Sequence, residues 1–279
     1  MKTIVTHVSP DVDALSSVWL IRKFKRGWEN ADIAFISQGT TYEDEPVDSD
    51  PNVIHVDTGL GKLDHHQNNE DTCAAKKVFE YLRNDGEIKE KFIPTLERMV
   101  HIINDIDHFR EIFWAEPDSD IYEFSIVSII EGMKVRIQND HELAMASEKI
   151  FDGILQSFFN KIQAEKEIDS GLIFKSLWGK TLAINSENDE VGQLAQKKGF
   201  HMVIRKSLKK GHLKIKLHPI LKKNLKKIEK ILKKEDPKAT WFYHQSGHML
   251  ISGSSKSPTS IPTKLPLNRI VEIIKNIQK

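Results

Sequence analysis

The chain has 279 residues, 41 Lys and Arg against 40 Asp and Glu, and 39% of its residues are hydrophobic, which is enough for two domains with buried cores. A single cysteine, Cys73, excludes a disulfide scaffold and a thiolate zinc site, and it fits a reducing cytosol. No apolar stretch approaches the length of a membrane span or of a signal-peptide core, so we expect a soluble, cytoplasmic protein.

Apolar patterns in the first half of the chain alternate between strand and helix periodicity. The predicted strands cover residues 3–6, 32–36 and 53–57, and the predicted helices cover residues 12–25, 72–82, 91–104, 124–137 and 141–166. Strands that alternate with helices are typical of a parallel α/β sheet. The last of these helices ends near Glu167 and is the expected connector between two domains, residues 1–167 and residues 168–279.

The second half of the chain has a different order of elements. Its predicted elements are strands over residues 172–175, 181–185 and 240–243, helices over 190–198 and 221–234, a hairpin over 202–217 that turns at Lys210-Gly211, and a final helix from Leu267. This order predicts a smaller mixed α/β domain. The predicted fold class is therefore α/β, with the substrate expected in a cleft between the two domains.

The formal net charge of the chain is +1, but acidic and basic residues are distributed unequally between its two halves. Residues 1–150 contain 16 Lys and Arg against 29 Asp and Glu, whereas residues 151–279 contain 25 against 11. Residues 201–234 alone contain 13 basic residues and one acidic residue. We expect the acidic half to bind cations and the basic half to attract a phosphate-rich substrate, with an affinity that falls as salt rises.

Two short motifs contain the residues with metal-binding chemistry. The first, His-x-x-x-Asp-x-Asp over residues 7–13, begins where a strand ends, because Pro10 cannot donate to a sheet ladder, and its Asp residues open the next helix. The second begins with Asp57 at the end of another strand and runs to Asp-His-His over residues 64–66. Ligands of open α/β sheets bind at the carboxyl ends of strands, so we expect the two motifs to converge there.

The residue types in these motifs indicate a divalent metal site. Several carboxylates in one place would repel one another unless cations were bound between them. Imidazole and carboxylate ligands without a thiolate favour Mn, Mg, Fe or Co, with Mn²⁺ the best match and Mg²⁺ the alternative. The ligands outnumber the needs of one ion, so we expect two ions about 3.5 to 4 Å apart, which generate hydroxide near neutral pH. Asp11 taken alone is also typical of a helix N-cap.

The motifs resemble those of the DHH phosphoesterase superfamily, which includes RecJ-type exonucleases, oligoribonucleases, cyclic dinucleotide phosphodiesterases and family II pyrophosphatases. The resemblance covers residues 1–110 and is to the RecJ-like type with a DHHA1 domain, in a variant that reads Asp-His-His-Gln over residues 64–67. It implies a parallel-sheet catalytic domain followed by a smaller, DHHA1-like substrate-binding domain. It also implies a hydrolase that acts on phosphoric ester bonds.

The resemblance implies a role for each motif residue. One ion would be held by His7, Asp11 and Asp57, and the other by Asp13, Asp57, His65 and Asp107. His66 would contact the scissile phosphate or its leaving oxygen, and Asp64 would orient the histidines. The fourth motif is ambiguous, because residues 104–108 offer two carboxylates. We assign Asp107 as the ligand, with Asp105 as the alternative.

A further cluster lies near the C-terminus. Ser246-Gly247-His248 resembles the Gly-Gly-His region with which DHH proteins grip the substrate, with Ser246 where the family has glycine. Glycine lets a ligand approach the backbone, hydroxyls donate to phosphate oxygens, and lysine supplies positive charge. The candidate substrate contacts are Arg205, Ser246, Gly247, His248, Ser254 and Lys256.

The sequence therefore predicts a metal-dependent phosphoesterase, either a nuclease or an oligonucleotide or nucleotide phosphodiesterase. Its expected partner is a nucleotide or a short single-stranded nucleic acid, and we expect no membrane partner. Two alternatives stay open. A pyrophosphatase or small-nucleotide phosphatase would act on inorganic or mononucleotide substrates, and a non-catalytic protein would bind nucleic acid through the lysine-rich half.

Overall fold

In the computed structural model, which describes residues 1–277, the chain divides into two compact units, Met1–Phe159 and Asn160–Lys279. The division falls within the helix Asp140–Ser170, before the boundary predicted after Glu167, and that domain assignment stays a prediction. Both units mix strands and helices, as the α/β class predicts, with a parallel sheet in the first and a mixed sheet in the second. Within residues 1–277, no helix has both the length and the apolar content needed to cross a bilayer.

The first unit is built around a three-stranded parallel sheet in which β1 lies between β2 and β3. Its elements are β1 (Thr3–His7), α1 (Val12–Phe24), β2 (Asp32–Ile36), β3 (Val53–His55), α2 (Ala74–Asn84), α3 (Ile93–Asp107), α4 (Ile126–Arg136) and most of α5 (Asp140–Ser170). Because all three strands run the same way, His7 at the end of β1 and Asp57 just after β3 lie at the same edge of the sheet.

Helix α1 lies inside the core of the first unit. All of residues 12–21 are buried, so the helix is covered on every side and not along one stripe only. The ring centroid of Trp19 lies 5.6 Å from that of Phe151 on α5, and the indole nitrogen of Trp19 donates to Asp152. This packing supports the start of α1, where Asp11 and Asp13 lie.

The second unit is built around a six-stranded sheet with the order β4-β5-β6-β7-β9-β8. Its elements are β4 (Leu172–Ser176), β5 (Gly179–Asn185), α6 (Glu190–Lys197), β6 (Met202–Lys206), β7 (Leu213–Leu217), α7 (Lys226–Glu235), β8 (Trp241–Tyr243), β9 (Met249–Ser252) and α8 (Leu267–Asn276). Strands β5 and β6 are parallel and the other neighbours are antiparallel. Alternate residues point to opposite faces, so Ile204 packs with α7 and α8 while Val203 packs with α6 and the end of α5.

The observed elements differ from the predicted ones at a few places. The basic helix begins at Lys226, whose amide bonds to the side chain of Asn224, and not at residue 221. The sequence pattern did not predict β9, a short apolar run between two polar clusters that is held by pairing with β7 and β8. Strand β3 ends at His55, two residues earlier than predicted.

The packing of α1 against α5 predicts the effect of removing one ring. Phe151 is 1% exposed, so the substitution Phe151→Ala is expected to lower the free energy of unfolding of the first unit by about 3 to 5 kcal/mol. Guanidinium unfolding followed by tryptophan fluorescence measures this change. In the control Phe124→Ala, where the ring is 87% exposed, we expect a change within about 0.5 kcal/mol. Equal changes in the two variants would contradict the assigned core.

Candidate metal centre

The side chains predicted as metal ligands come together at the carboxyl edge of the parallel sheet. Three groups of histidine and carboxylate atoms, each with its ligand atoms within 4.8 Å of one another, are found in the part of the chain that the structure describes. The groups are His7, Asp11 and Asp57; Asp57, His65 and His66; and Asp13, His65 and Asp107. Asp57 and His65 each belong to two groups, so the three form one continuous site able to hold metal ions.

Asp57 lies at the middle of this site. Its Oδ2 atom is 3.3 Å from Nε2 of His7, and its Oδ1 atom is 3.2 Å from Nε2 of His65. The backbone of Asp57 has φ 55°, in the left-handed region, which costs of order 1 to 3 kcal/mol and is common at functional sites. The two oxygens of one buried carboxylate therefore face two different histidines, as in a carboxylate that bridges two ions.

Two buried atoms at the centre of the site support a fit to a bound cation. Oδ1 of Asp57 and Nε2 of His65 are shielded from solvent and lie 3.2 Å apart, but neither meets the geometry of a hydrogen bond with the other or with any other residue in the range 1–277. Buried polar atoms normally have partners, and leaving one without a partner is costly. A cation bound to both atoms would satisfy them together, so the donor set fits a divalent metal ion.

Asp13 is positioned by the start of helix α2. Its Oδ2 atom accepts a hydrogen bond of 2.7 Å from the amide of Ala74, and its Oδ1 atom accepts one of 2.8 Å from the amide of Ala75. These amides are free to bond because a helix leaves its first N–H groups without partners inside the helix. Burial, followed by the charges of Asp57 and Asp107, raises the pKa of Asp13 well above its usual value.

Asp11 has the local role that its position predicts and also lies in a ligand group. Its Oδ1 atom accepts a hydrogen bond of 3.0 Å from the amide of Ala14, so Asp11 is the N-cap of α1. The same residue belongs to the group with His7 and Asp57. The two roles are compatible, because Oδ1 caps the helix and the second carboxylate oxygen is available to a metal ion.

Asp64 organises the Asp-His-His turn. Its Oδ2 atom accepts from the amide of Leu60, and its Oδ1 atom accepts from the amide of His65 and lies 2.7 Å from Nδ1 of His66. Burial would raise the pKa of Asp64, but the hydrogen bonds from His66 and Leu60 lower it. The carboxylate of Asp64 therefore orients the ring of His66 through Nδ1.

Asp107 and Asp105 have different surroundings at the end of α3. Oδ2 of Asp107 lies 3.8 Å from Nδ1 of His65, inside a ligand group. Asp105 instead pairs with Arg110, which also binds Asp71. The positions of these side chains favour Asp107 over Asp105 as the fourth-motif ligand.

His7 and His65 carry positive charge next to the carboxylates of this site. Burial lowers the pKa of His7, but its contacts with Asp57 and Val8 and the nearby carboxylates raise it to about 9. Burial also lowers the pKa of His65, and the contact with Asp57 together with the charges of Asp107 and Asp13 raises it to about 9. Both rings are therefore positively charged imidazolium ions near neutral pH in the protein without metal.

The predicted substrate contacts of the second unit do not form one cluster. Ser246 and Gly247 lie in the turn before β9, whereas Ser254 and Lys256 follow β9 at its other end. The guanidinium of Arg205 donates to the carbonyl of Ser186 and pairs with Asp189.

The turn before β9 also has a structural explanation. Gly247 has φ 73°, and a Cβ atom there would lie 2.8 Å from Cβ of Asn224. The conformation of the turn therefore requires glycine whether or not a ligand binds there. The hydroxyl of Ser246 accepts from the amide of His248 and contacts Nδ1 of His244. These hydrogen bonds explain the turn without a substrate, so the substrate roles of Ser246, Gly247 and His248 stay predictions.

Sequence reasoning missed several residues that shape the metal site. Nε2 of Gln38 lies 3.1 Å from Nε2 of His66, and the ammonium of Lys77 donates to the carbonyl of Asp64 over 2.6 Å. The amides of Ala74 and Ala75 that bind Asp13 were missed too. Gln38 and Lys77 lie in segments without a motif, so only the folded structure identifies them. Helix α2 was predicted to begin two residues before its observed start at Ala74, so the sequence did not identify the amides of Ala74 and Ala75 as free to bind Asp13.

Comparisons with known proteins give a matching family and matching solved structures. Residues 4–158 match the family described as "ChrB, C-terminal domain". Among solved structures, a "putative family II inorganic pyrophosphatase" of Methanococcus jannaschii has 14% sequence identity, covers 98% of this chain and 100% of its own, and has a TM-score of 0.23. No curated protein matches the chain.

These comparisons bear on the predicted family in different ways. The family that matches is not the DHH superfamily. Family II pyrophosphatases belong to that superfamily, but a TM-score of 0.23 is too low to support an argument about fold or function. The resemblance of the motifs to the DHH superfamily therefore stays a prediction.

Binding of Mn²⁺ near neutral pH is expected to release protons, because a metal ligand must be a neutral imidazole and His7 and His65 are protonated there. The apparent affinity for Mn²⁺ should rise as the pH approaches about 9 and level off above it. Calorimetric titration in two buffers with different ionisation enthalpies counts the released protons. The control is His101→Gln, at an exposed position outside the ligand groups, which should release as many protons as the unaltered protein. Heats that do not depend on the buffer would contradict the assignment of His7 and His65 as metal ligands.

Proposed function

The chain belongs to the family of the ChrB C-terminal domain, and we propose that it is a metal-dependent phosphoesterase that hydrolyses phosphodiester or phosphoanhydride bonds. The single observation that carries this proposal is Asp57, whose two oxygens face His7 on one side and His65 on the other. A carboxylate shared by two ligand groups is the feature expected of a site for two neighbouring ions.

Each ion has a proposed set of ligands in this chain. His7, Asp11 and Asp57 would hold one ion, and Asp13, Asp57, His65 and Asp107 would hold the other. The ions are divalent, with Mn²⁺ preferred for a mixed nitrogen and oxygen donor set and Mg²⁺ as the alternative. When bound, such a pair supplies hydroxide near neutral pH and neutralises charge on phosphoryl oxygens.

His66 and Asp64 are the proposed catalytic pair. The side chain of His66 is the most exposed of the histidines in the ligand groups, and its Nδ1 atom is held by Asp64, so its other ring nitrogen, Nε2, would donate to a phosphoryl or leaving oxygen when the ring is an imidazolium. Asp64 keeps the ring in that orientation through Oδ1, while its Oδ2 atom stays bound to the amide of Leu60. In this role His66 contacts the substrate and Asp64 positions His66.

A basic surface in the second unit supports an anionic substrate. Burial lowers the pKa of Lys214, the charge of Asp189 raises it, and the charges of Arg205, Lys216 and Lys256 lower it further. Asp189 pairs with Arg205 and Lys214, and the charges of Lys216 and Lys256 also act on Lys214, so positive charge is in excess here and attracts phosphate groups. We propose a nucleotide or a short single-stranded nucleic acid as the substrate, with Arg205, Ser254 and Lys256 among its contacts.

The substitution Asp57→Asn tests the proposed function. The carboxamide keeps the shape of Asp57 but removes the negative charge shared by the two groups, so Mn²⁺-dependent hydrolysis of bis-p-nitrophenyl phosphate should fall at least about 100-fold in kcat/KM. Asp107→Asn should cause a similar loss. Asp105→Asn, which alters a carboxylate paired with Arg110, is the matched control and should stay within about twofold. Undiminished turnover in Asp57→Asn would refute the proposal.

Labelled single-stranded RNA and DNA oligonucleotides, incubated with Mn²⁺ or with EDTA, separate the candidate functions. The proposed nuclease should give shorter products only with Mn²⁺, at a rate that falls steeply with salt. Phosphate release from inorganic pyrophosphate without shortened oligonucleotides would favour the pyrophosphatase alternative. Salt-sensitive binding that survives EDTA and yields no product would favour the non-catalytic alternative.

A further inference from the structure

A segment of the first unit exposes large apolar side chains. Two short turns of 3-10 helix, Arg110–Phe113 and Asp120–Phe124, lie between α3 and α4. Phe113 is 80% exposed and Phe124 is 87% exposed, and Phe109 and Ile121 are exposed as well. Single exposed apolar residues are ordinary, but a concentration of them in one short segment marks an interaction surface.

The same segment forms a groove, which we call the acidic aromatic groove. It encloses about 250 Å³. Its apolar lining comes from Phe109, Ile112, Trp114, Tyr122 and Val127, and its carboxylates are Glu111 and Glu123. The ring centroids of Trp114 and Tyr122 lie 5.6 Å apart, and the Tyr122 hydroxyl donates to the carbonyl of Ala115. The groove walls are therefore held in place by their own contacts.

The charge around this groove has one sign. Residues 111–125 contain five acidic residues and no Lys or Arg. Arg110, just before them, is already paired with Asp71 and Asp105. Oε2 of Glu111 is buried at the groove and accepts no hydrogen bond from any described residue. A shielded carboxylate oxygen without a donor favours a ligand that brings a cationic N–H group.

We propose that the acidic aromatic groove binds a basic amphipathic helix of a partner protein. An apolar side chain of that helix fills the groove, and a neighbouring Lys or Arg pairs with the carboxylates of Glu111 and Glu123 that line it. The exposed rings of Phe113 and Phe124 then cover further apolar residues of the same helix. This inference goes beyond the proposed hydrolysis, because none of these residues belongs to a ligand group.

Other occupants fit the charge less well. Nucleic acid and anionic membranes carry the same sign of charge as the groove and would be repelled. A second copy of this chain that docked through the same patch about a two-fold axis would place acidic residues opposite acidic residues. A partner with basic residues beside an apolar stripe is complementary in both respects.

A designed peptide tests the groove without knowledge of the natural partner. The probe is a fluorescent helix of roughly 14 residues of leucine and lysine, with leucines at i, i+3, i+4 and i+7, and the comparison peptide has glutamate in place of lysine. Fluorescence anisotropy with the full chain should show at least about tenfold tighter binding of the basic peptide, weakened by salt. Phe113→Ser and Glu111→Gln should each weaken it about tenfold.

Leu208→Ser is the matched control, because Leu208 is 72% exposed but belongs to the second unit, and it should leave binding unchanged. Near-UV circular dichroism checks that each variant is folded. Equal binding of the two peptides, or an equal loss in Leu208→Ser, would overturn the proposal. So would a dimer in sedimentation that Phe113→Ser dissociates, or binding to phosphatidylserine vesicles that Phe113→Ser abolishes.

Discussion

Repulsion among carboxylates at the edge of the parallel sheet is the constraint on which the metal site depends. Four carboxylates lie close together there, with Asp13 and Asp57 buried and Asp11 and Asp107 partly buried, and such charges are tolerated only with positive charge between them. The protein supplies some of it through His7 and His65, whose pKa values of about 9 keep both rings protonated near neutral pH. Divalent cations supply more charge in the same space, so the arrangement suits ions better than it suits protons.

The backbone holds these charges together with features that have a conformational cost. Asp57 adopts a left-handed conformation that a non-glycine residue rarely uses. Helix α1, which presents Asp11 and Asp13, is buried on every side and packed against α5. The site is therefore supported by the core of its own unit, and it is formed entirely by residues of that unit.

Local signals explain which parts of this architecture could be predicted from the sequence. The strands and helices of the first unit follow apolar periodicity, and the convergence of the two motifs follows from the rule that strand ends share an edge. The assignment of ligands to each ion was implied only by the resemblance to the DHH superfamily. Gln38 and Lys77 could not be predicted, because they reach the site through contacts distant in sequence. Strand β9 could not be predicted for a similar reason, since this run of four residues, three of them apolar, becomes a strand only by pairing with β7 and β8.

Asp13 links ion occupancy to the stability of a helix. Its two oxygens accept hydrogen bonds from the amides of Ala74 and Ala75, so it acts as a cap for α2 although it lies 61 residues before Ala74 in the chain. An ionised carboxylate at a helix N-terminus interacts favourably with the helix dipole, and protonation weakens that interaction. A cation that keeps Asp13 ionised therefore also strengthens the beginning of α2. Binding of cations at this site would therefore be thermodynamically coupled to the stability of α2.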